Sequence, residues 1–320
     1  MIRALLLSTI VMATAAHAEP FTFVALGDNP YGDPAIVNPP YEVLIDTINA
    51  RKPAFSIHIG DIKSGSTPCD NALMASQFDY MNRFATAMIY TPGDNEWTDC
   101  HREKAGKFDP LERLAFLRTT FFADTGKSLG AMPMDVEQQS VLMADTYATF
   151  VENRRFMKDE VMVMTAHVVG SNNNFEVRDP TAVAEFFARD AANVAWLENT
   201  FDAATAANAK AIVVAIQADM FEFDFNEEGD ETFLRHSGFQ NFGKALVEKA
   251  AEFGKPVLLI HGDSHHFKVY RPFPTTAANI MALEVYGETD MNAVEVRVDA
   301  NDPAVFSFTP IINPMPVPKS

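Results

Sequence analysis

Three short apolar runs in the first third of the chain each lead into a Gly-Asp pair. Phe21 to Leu26 ends at Gly27-Asp28, Ala54 to Ile59 at Gly60-Asp61, and Ala87 to Tyr90 at Thr91-Pro92-Gly93-Asp94. Each run has the length and composition of a buried strand. Between them, Tyr41 to Ala50 and Asn71 to Thr86 carry apolar residues at helical spacing. Strand, helix, strand, helix, strand implies βαβ units, hence an α/β fold with its functional loops at the carboxyl ends of the strands. Three carboxylates are thereby predicted at one sheet edge.

The rhythm continues further along. A helix is expected over Asp109 to Phe122, then an irregular Gly-, Pro- and Met-rich stretch from Asp124 to Glu137. Val161 to Thr165 reads as a strand leading to His167 and the polar turn Gly170 to Asn174, and Asp190 to Thr205 as a helix with Val194, Trp196, Leu197 and Phe201 on its apolar face. Strand Ala211 to Ile216 ends at Gln217, an acidic loop covers Asp219 to Glu231, and a helix spans Phe239 to Phe253. Strand Pro256 to Ile260 opens onto His261-Gly262-Asp263-Ser264-His265-His266. Runs near Phe267 to Tyr270, Ile280 to Tyr286 and Ala293 to Val298 are expected to close the fold as antiparallel strands. No repeat or low-complexity linker interrupts this order, so residues 19–320 read as one domain.

Ahead of that domain, residues 1–18 carry one cation, Arg3, an apolar stretch from Leu5 to Met12, and Ala16-His17-Ala18 before Glu19-Pro20. That is the pattern of a secretory signal cut after Ala18, short as in bacterial export to the periplasm or beyond. As an anchor the apolar run is too short, since crossing a bilayer takes about 20 residues. In an oxidising compartment the two cysteines, Cys69 and Cys100, are expected to form a disulfide, the alternative being two buried thiols. No Cys-x-x-Cys spacing supports a zinc finger or redox role.

Formal charge is −18, from 25 Lys and Arg against 43 Asp and Glu, and −19 once Arg3 leaves with the signal. Such a chain lacks the broad basic surface of a generic nucleic-acid binder. The same field would repel an anionic small molecule unless something local reverses its sign.

The residues delivered at strand ends supply that reversal. Asp28, Asp61, Asp94, Gln217, Asp263 and His265 form a set dominated by oxygen ligands. Converging carboxylates repel one another unless a cation neutralises them. A single strand-end Gly-Asp is often only a turn or helix cap. Four on successive core strands favour a metal site.

GDNPYG at 27–32, GDIKSG at 60–65, PGDNEW at 92–97, the helix with Trp196-Leu197, AIVVAIQ at 211–217 and HGDSHHF at 261–267 together resemble, in order, the calcineurin-like metallophosphoesterase superfamily, which includes the purple acid phosphatases. The resemblance implies an αββα sandwich holding two metal ions. It places Asp28 on the first motif's Asp, Asp61 on the bridging Asp, Asp94 on the ligand Asn, Gln217 on the lone His, and Asp263 and His265 on the final pair. The chain departs from the family where Pro30 replaces the first motif's His, Asn95 the substrate-facing His, and Gln217 and Asp263 two further imidazoles. A shift of one residue would instead make Asn95 the ligand Asn.

Carboxylate and amide oxygens suit Mn²⁺, Ca²⁺ or Mg²⁺ better than Zn²⁺, with Fe open. One site would use Asp28, Asp61 and His265, the other Asp61, Asp94, Gln217 and Asp263. The implied chemistry is hydrolysis of a small phosphate ester by a metal-activated water. His167, at the end of a core strand, is the preferred proton donor over His101 and His266, the last expected to alternate to the opposite face from His265. Arg102 and Lys63 are candidate phosphate clamps. No G-x-S-x-G, P-loop or H-E-x-x-H occurs. The alternatives are a relative that binds metal or a phosphorylated ligand without turnover, and a structural envelope protein. Specificity is expected to lie in 101–160 and 218–240.

Overall fold

The structure, a computed structural model, describes residues 19–177, 179–221, 237–288 and 290–318. The expected signal and most of the acidic loop after Asp219 lie outside these. Among the described residues no helix is long and apolar enough to cross a membrane.

The chain runs β1 (Phe21–Leu26), α1 (Pro34–Arg51), β2 (Phe55–His58), α2 (Asn71–Met81), β3 (Ala87–Tyr90) and α3 (Pro110–Phe121). There follow β4 (Glu137–Gln138), the short helices α4 (Gln139–Leu142) and α5 (Ala144–Tyr147), β5 (Arg154–Lys158), β6 (Val161–Thr165), the single turn α6 (Gly170–Asn173) and α7 (Pro180–Ala206). The last third holds β7 (Ala211–Ala215), α8 (Gln240–Phe253), β8 (Val257–His261), β9 (Lys268–Tyr270), β10 (Ile280–Glu284), β11 (Ala293–Val298) and β12 (Phe306–Ile311). One sheet has the order β12-β11-β1-β2-β3 and the other β4-β5-β6-β7-β8-β10-β9.

Strand alternation divides the apolar residues among three cores. Phe23 and Ala25 of β1 pack between the sheets with Val163, Val213 and Ile260. Their neighbours Val24 and Leu26 face the other way, onto Tyr41, Leu44 and Ile48 of α1. Likewise Val161 and Val163 face the first sheet, whereas Met162 and Met164 pack with Trp196 and Leu197 of α7 and Phe242 and Leu246 of α8. Helices, sheet, sheet, helices is the αββα sandwich that the resemblance implies. Strands buried on both faces read as unbroken apolar runs, which is why they are legible.

Element ends differ from the periodicity where capping chemistry decides. Helices α1, α3 and α7 each start at an Asp-Pro pair, with Asp33, Asp109 or Asp179 accepting first-turn N–H groups and proline at the first helical position. Helices α1 and α7 therefore begin well before the expected Tyr41 and Asp190. Helix α2 stops at Met81 rather than Thr86, with Asn82 closing it through Nδ2 to Phe78 O. Strand β5 is hidden in the sequence by its Arg154-Arg155 start. Strands β9 and β11 are antiparallel to their neighbours as expected, but β10 lies parallel to β8.

In-register parallel pairing sets Leu26 opposite His58 and His58 opposite Tyr90, so the three Gly-Asp loops emerge together. From the second sheet, β7 and β8 end alongside, with Ala215 opposite Ile260. Cys69 and Cys100 form a buried disulfide between the loop entering α2 and the turn after the third motif. Closing a separation of 31 residues is worth roughly 3–4 kcal/mol in the chain-entropy model. A Cys69→Ser/Cys100→Ser double variant is expected to lose about that much stability in urea titration; an unchanged midpoint would contradict this.

Candidate metal centre

Asp28, Asp61, Asp263 and His265 adopt φ values of 52°, 55°, 76° and 65°. Left-handed backbone is uncommon for residues with a Cβ, and such conformations gather at functional sites. Each follows the end of a strand, where the turn breaks the alternation that would have sent the side chain into a sheet face. Close approach also demands glycine. A Cβ on Gly170 would lie 2.5 Å from Asp263 Oδ2, and one on Gly262 would overlap Asp28 Oδ2.

Asp61, Asp94 and Asp263 converge, each with a carboxylate oxygen within 4.8 Å of the other two. Asp61 Oδ1 accepts the Asn95 backbone N–H at 3.1 Å, and Oδ2 accepts Tyr31 Oη and Asn95 Nδ2, both at 2.6 Å. Gln217 Nε2 donates to Asp263 Oδ1 at 3.0 Å and to Asp94 Oδ1 at 3.3 Å. Beside this trio, Asp28 Oδ1 accepts the Asp263 N–H at 3.1 Å and lies 3.7 Å from His265 Nε2. Burial, followed by the charges of Asp94 and Glu96, raises Asp61 well above the ordinary carboxylate range. Burial likewise raises Asp28.

These residues fit a cation. Three carboxylates sharing one site are hard oxygen donors that an ion of charge +2 would relieve of their repulsion. Asp28 adds an Oδ2 that is buried with no hydrogen-bond partner. Buried polar atoms of that kind call for an explanation, and a bound ion is one. Asp61, Asp94 and Asp263 would hold one ion; Asp28 and His265, with Asp61, are the residues available to a second.

The geometry alters several of the sequence expectations. Gln217 is expected as an oxygen ligand, but its Oε1 accepts the Gly170 N–H at 2.6 Å, which turns Nε2 toward the carboxylates. It is a clamp on two of them. His167 is fully buried, with Nδ1 2.8 Å from Glu152 Oε1 and its ring against Trp97, so it has no path for delivering a proton to the cavity. Lys63 is also buried, its Nζ donating to Ser64 O at 3.0 Å, and it does not reach the cavity wall as a phosphate clamp. His266 lies in the loop before β9 rather than in an alternating strand, its N–H donating to Glu284 Oε1 at 2.6 Å. Asp94 keeps its expected place, while its neighbour Asn95 supports Asp61 by hydrogen bonds.

Three contributors escape the sequence reading. Tyr31 reaches Asp61 from the first motif. Glu96 Oε1 accepts the N–H groups of Asp61 and Gly93 and the hydroxyl of Tyr90, at 3.1, 2.8 and 2.8 Å, tying the second and third motifs together. Ser171 Oγ lies 2.8 Å from Asp94 Oδ2 and 2.9 Å from Asp99 Oδ1, its one hydrogen serving either. Tyr31 and Glu96 stand inside the motifs GDNPYG and PGDNEW, the one signal that marks them.

Tyr31, Asp61, Asp94, Asn95, Asp263 and His265 face a cavity of about 480 Å³. Arg102 stands at its rim, with Nη1 2.5 Å from Asp99 Oδ2 and Nη2 3.3 Å from Ser171 Oγ. Burial, then the charge of Asp94, pushes Asp99 up to about 7.

No protein-family model and no curated protein sequence matches this chain. Solved structures with a similar chain path include GAP50, the anchor in the inner membrane complex of Plasmodium, at 10% identity and a TM-score of 0.48 over 93% of this chain and 90% of that one. Purple acid phosphatase PPD1 from yellow lupin seeds is 11% identical with a TM-score of 0.47, covering 92% of this chain and 54% of its own. The protein TT1561 of Thermus thermophilus is 9% identical with a TM-score of 0.45, covering 92% and 99%.

Two outcomes test the centre without reference to activity. Carboxyls raised by burial stabilise the metal-free fold below about pH 4, their ordinary value, and lose that contribution as pH rises through their folded values, about 7 for Asp99. A divalent ion competes with those protons, so Mn²⁺ is expected to raise Tm more at pH 7.5 than at pH 5; equal shifts, or none, would count against the site. Gln217→Leu removes both donors to Asp94 and Asp263 and is expected to weaken Mn²⁺ binding by about 10- to 100-fold in calorimetry.

Proposed function

We propose that the protein is an exported metal-dependent phosphoesterase that hydrolyses a small phosphate ester at a dinuclear, carboxylate-rich centre. The observation that carries the reading is the convergence of Asp61, Asp94 and Asp263 within 4.8 Å on the wall of a cavity that Arg102 also lines. Carboxylates able to hold cations and a guanidinium beside them make a local field that attracts phosphate despite the −18 of the whole chain. Export is supported by the Cys69–Cys100 disulfide.

Asp61, Asp94 and Asp263 would hold one ion, and Asp28, His265 and Asp61 would be available to the other, Mn²⁺, Ca²⁺ or Mg²⁺ suiting these oxygens better than Zn²⁺. Bound divalent ions supply Lewis acidity to the phosphoryl oxygens and lower the pKa of water. Asn95, Tyr31, Gln217 and Ser171 keep the carboxylates at fixed angles. Arg102, anchored by Asp99, presents its remaining N–H groups to a non-bridging phosphoryl oxygen. With His167 enclosed, His101, on the wall of the adjoining cavity, is our candidate for protonating the leaving alcohol. Its Nδ1 lies 2.7 Å from Thr98 O and donates to it, leaving Nε2 as the atom that takes up and releases the proton.

A second reading, a binder of phosphorylated ligands without turnover, is favoured by the donors from Asn95 and Tyr31 that already occupy both oxygens of Asp61. Aryl phosphate mono- and diesters assayed with Mn²⁺, Mg²⁺, Ca²⁺, Fe²⁺ and Zn²⁺ separate the two. The phosphoesterase reading predicts turnover that Asp61→Asn lowers by about 10²-fold or more. It also predicts that His101→Gln slows alkyl esters, whose leaving group needs the proton, more than nitrophenyl esters. Phosphate binding without turnover under every metal would leave the second reading standing.

A further inference from the structure

A second cavity of about 510 Å³ adjoins the one just described. The two share Asp99, Arg102, Ser171 and Glu176, so the guanidinium and the Ser171 hydroxyl stand on the boundary between them. An ester whose phosphoryl group was held against Asp61, Asp94 and Arg102 would have room for its alcohol across that boundary.

The lining of the second cavity discriminates among alcohols. Among the described residues it contains no Phe, Tyr or Trp, and its one ring is the His101 imidazole, so there is no broad platform for stacking a nucleobase or a phenyl group. Apolar contact is limited to Pro110, Leu111 and Ala182. The N-termini of α3 and α7 also open here, and a free helix N-terminus would attract an anion. Each is closed by its own cap instead: Asp109 Oδ1 accepts Leu111 N and Glu112 N at 2.8 and 3.0 Å, and Asp179 Oδ1 accepts Thr181 N at 2.8 Å. The capping bonds engage one oxygen of each carboxylate and leave its charge on the wall. Hydrogen bonds from Thr181 hold Asp179 below the usual carboxylate range, so it stays ionised near neutrality. Asp99 is offset by Arg102, and Asp109 and Asp179 set two negative charges against at most one positive charge on the His101 imidazole where the alcohol would lie.

Resting on the phosphoesterase reading of the adjoining site, we propose that this cavity is the leaving-group subsite and that it selects a small alcohol bearing an ammonium group, making an aminoalkyl phosphate the preferred substrate. The phosphate end is held by the metal centre and Arg102, and the ammonium end by Asp109 and Asp179. Both carboxylates are exposed, so each contributes the modest attraction of a solvated ion pair. Two such pairs amount to a preference of roughly 3- to 30-fold over a neutral alcohol of the same size, weakening as salt is added.

The test compares kcat/KM of the full Mn²⁺-loaded chain for 2-aminoethyl phosphate, propyl phosphate and 2-carboxyethyl phosphate. The expected order is cationic, neutral, anionic. Asp109→Asn with Asp179→Asn keeps good helix caps while removing both charges, and is expected to shrink the cationic-to-neutral ratio toward one with Tm little changed. Equal or better hydrolysis of propyl phosphate, or a ratio that survives in the double variant, would overturn the proposal. If none of the three esters is turned over, it is the hydrolase reading that fails. Calorimetry with 2-aminoethylphosphonate and propylphosphonate then decides the subsite alone. Tighter binding of the amine, lost in the double variant, supports it, whereas equal affinity or no binding of either overturns it.

Discussion

Mutual repulsion among carboxylates buried where two sheets meet is the constraint to which the rest of this structure responds. Asp28, Asp61 and Asp94 come from the first sheet and are buried, and the half-buried Asp263 comes from the second. Burial disfavours the charged forms of Asp28 and Asp61, and the charges of their neighbours add to the penalty. The surrounding donors answer that penalty one oxygen at a time: Asn95 and Tyr31 on Asp61, Gln217 on Asp94 and Asp263, and the Asp263 amide on Asp28. What they leave unanswered, above all Asp28 Oδ2, is what a cation would satisfy.

Rigidity around this cluster comes from two buried polar assemblies. Glu96 binds the second and third motif loops from behind. On the other side Asp219 and Glu284 hold the turn that presents Asp263 and His265, Asp219 accepting the Ser264 hydroxyl and Glu284 the His266 amide. A separate network braces the strand after which His167 lies. There Arg118 and His167 overcome the effect of burial and hold Glu152 ionised well below the usual carboxylate range. His167 is thus committed to orienting β6 and its following loop, against which Arg189 also donates to the His167 carbonyl at 2.7 Å. Strand-end histidines of this kind look catalytic in sequence because the position is right. Burial and partner choice decide otherwise.

Most of the layer plan is legible in the sequence, because strands buried on both faces are continuous apolar runs and the helices between them repeat at a different period. The elements that escape it carry competing signals: β5 opens with two arginines that are buried by pairing with Glu137 and by backbone carbonyls, and α1 carries Pro39 and Pro40 inside its first turns. In the site, Asp61, Asp94 and Asp263 are found by their place after strands. Gln217 is found for the same reason, but its donation to Asp94 and Asp263 is not, since which end of an amide faces a carboxylate depends on a partner, Gly170, brought from a distant loop.

Sequence by itself determined which residues stand at strand ends, that most of them are carboxylates, and that the apolar runs before the first three would pair as parallel strands. Those properties follow from composition and spacing along one strand or helix. Only the tertiary structure decided which of these side chains share a cavity, which are sealed in the interior, and which donors face which oxygens. Asp61 meets Asp263 and Arg102 meets Ser171 only after the two sheets and their loops have packed, and no local pattern encodes a distance between residues so far apart in the chain.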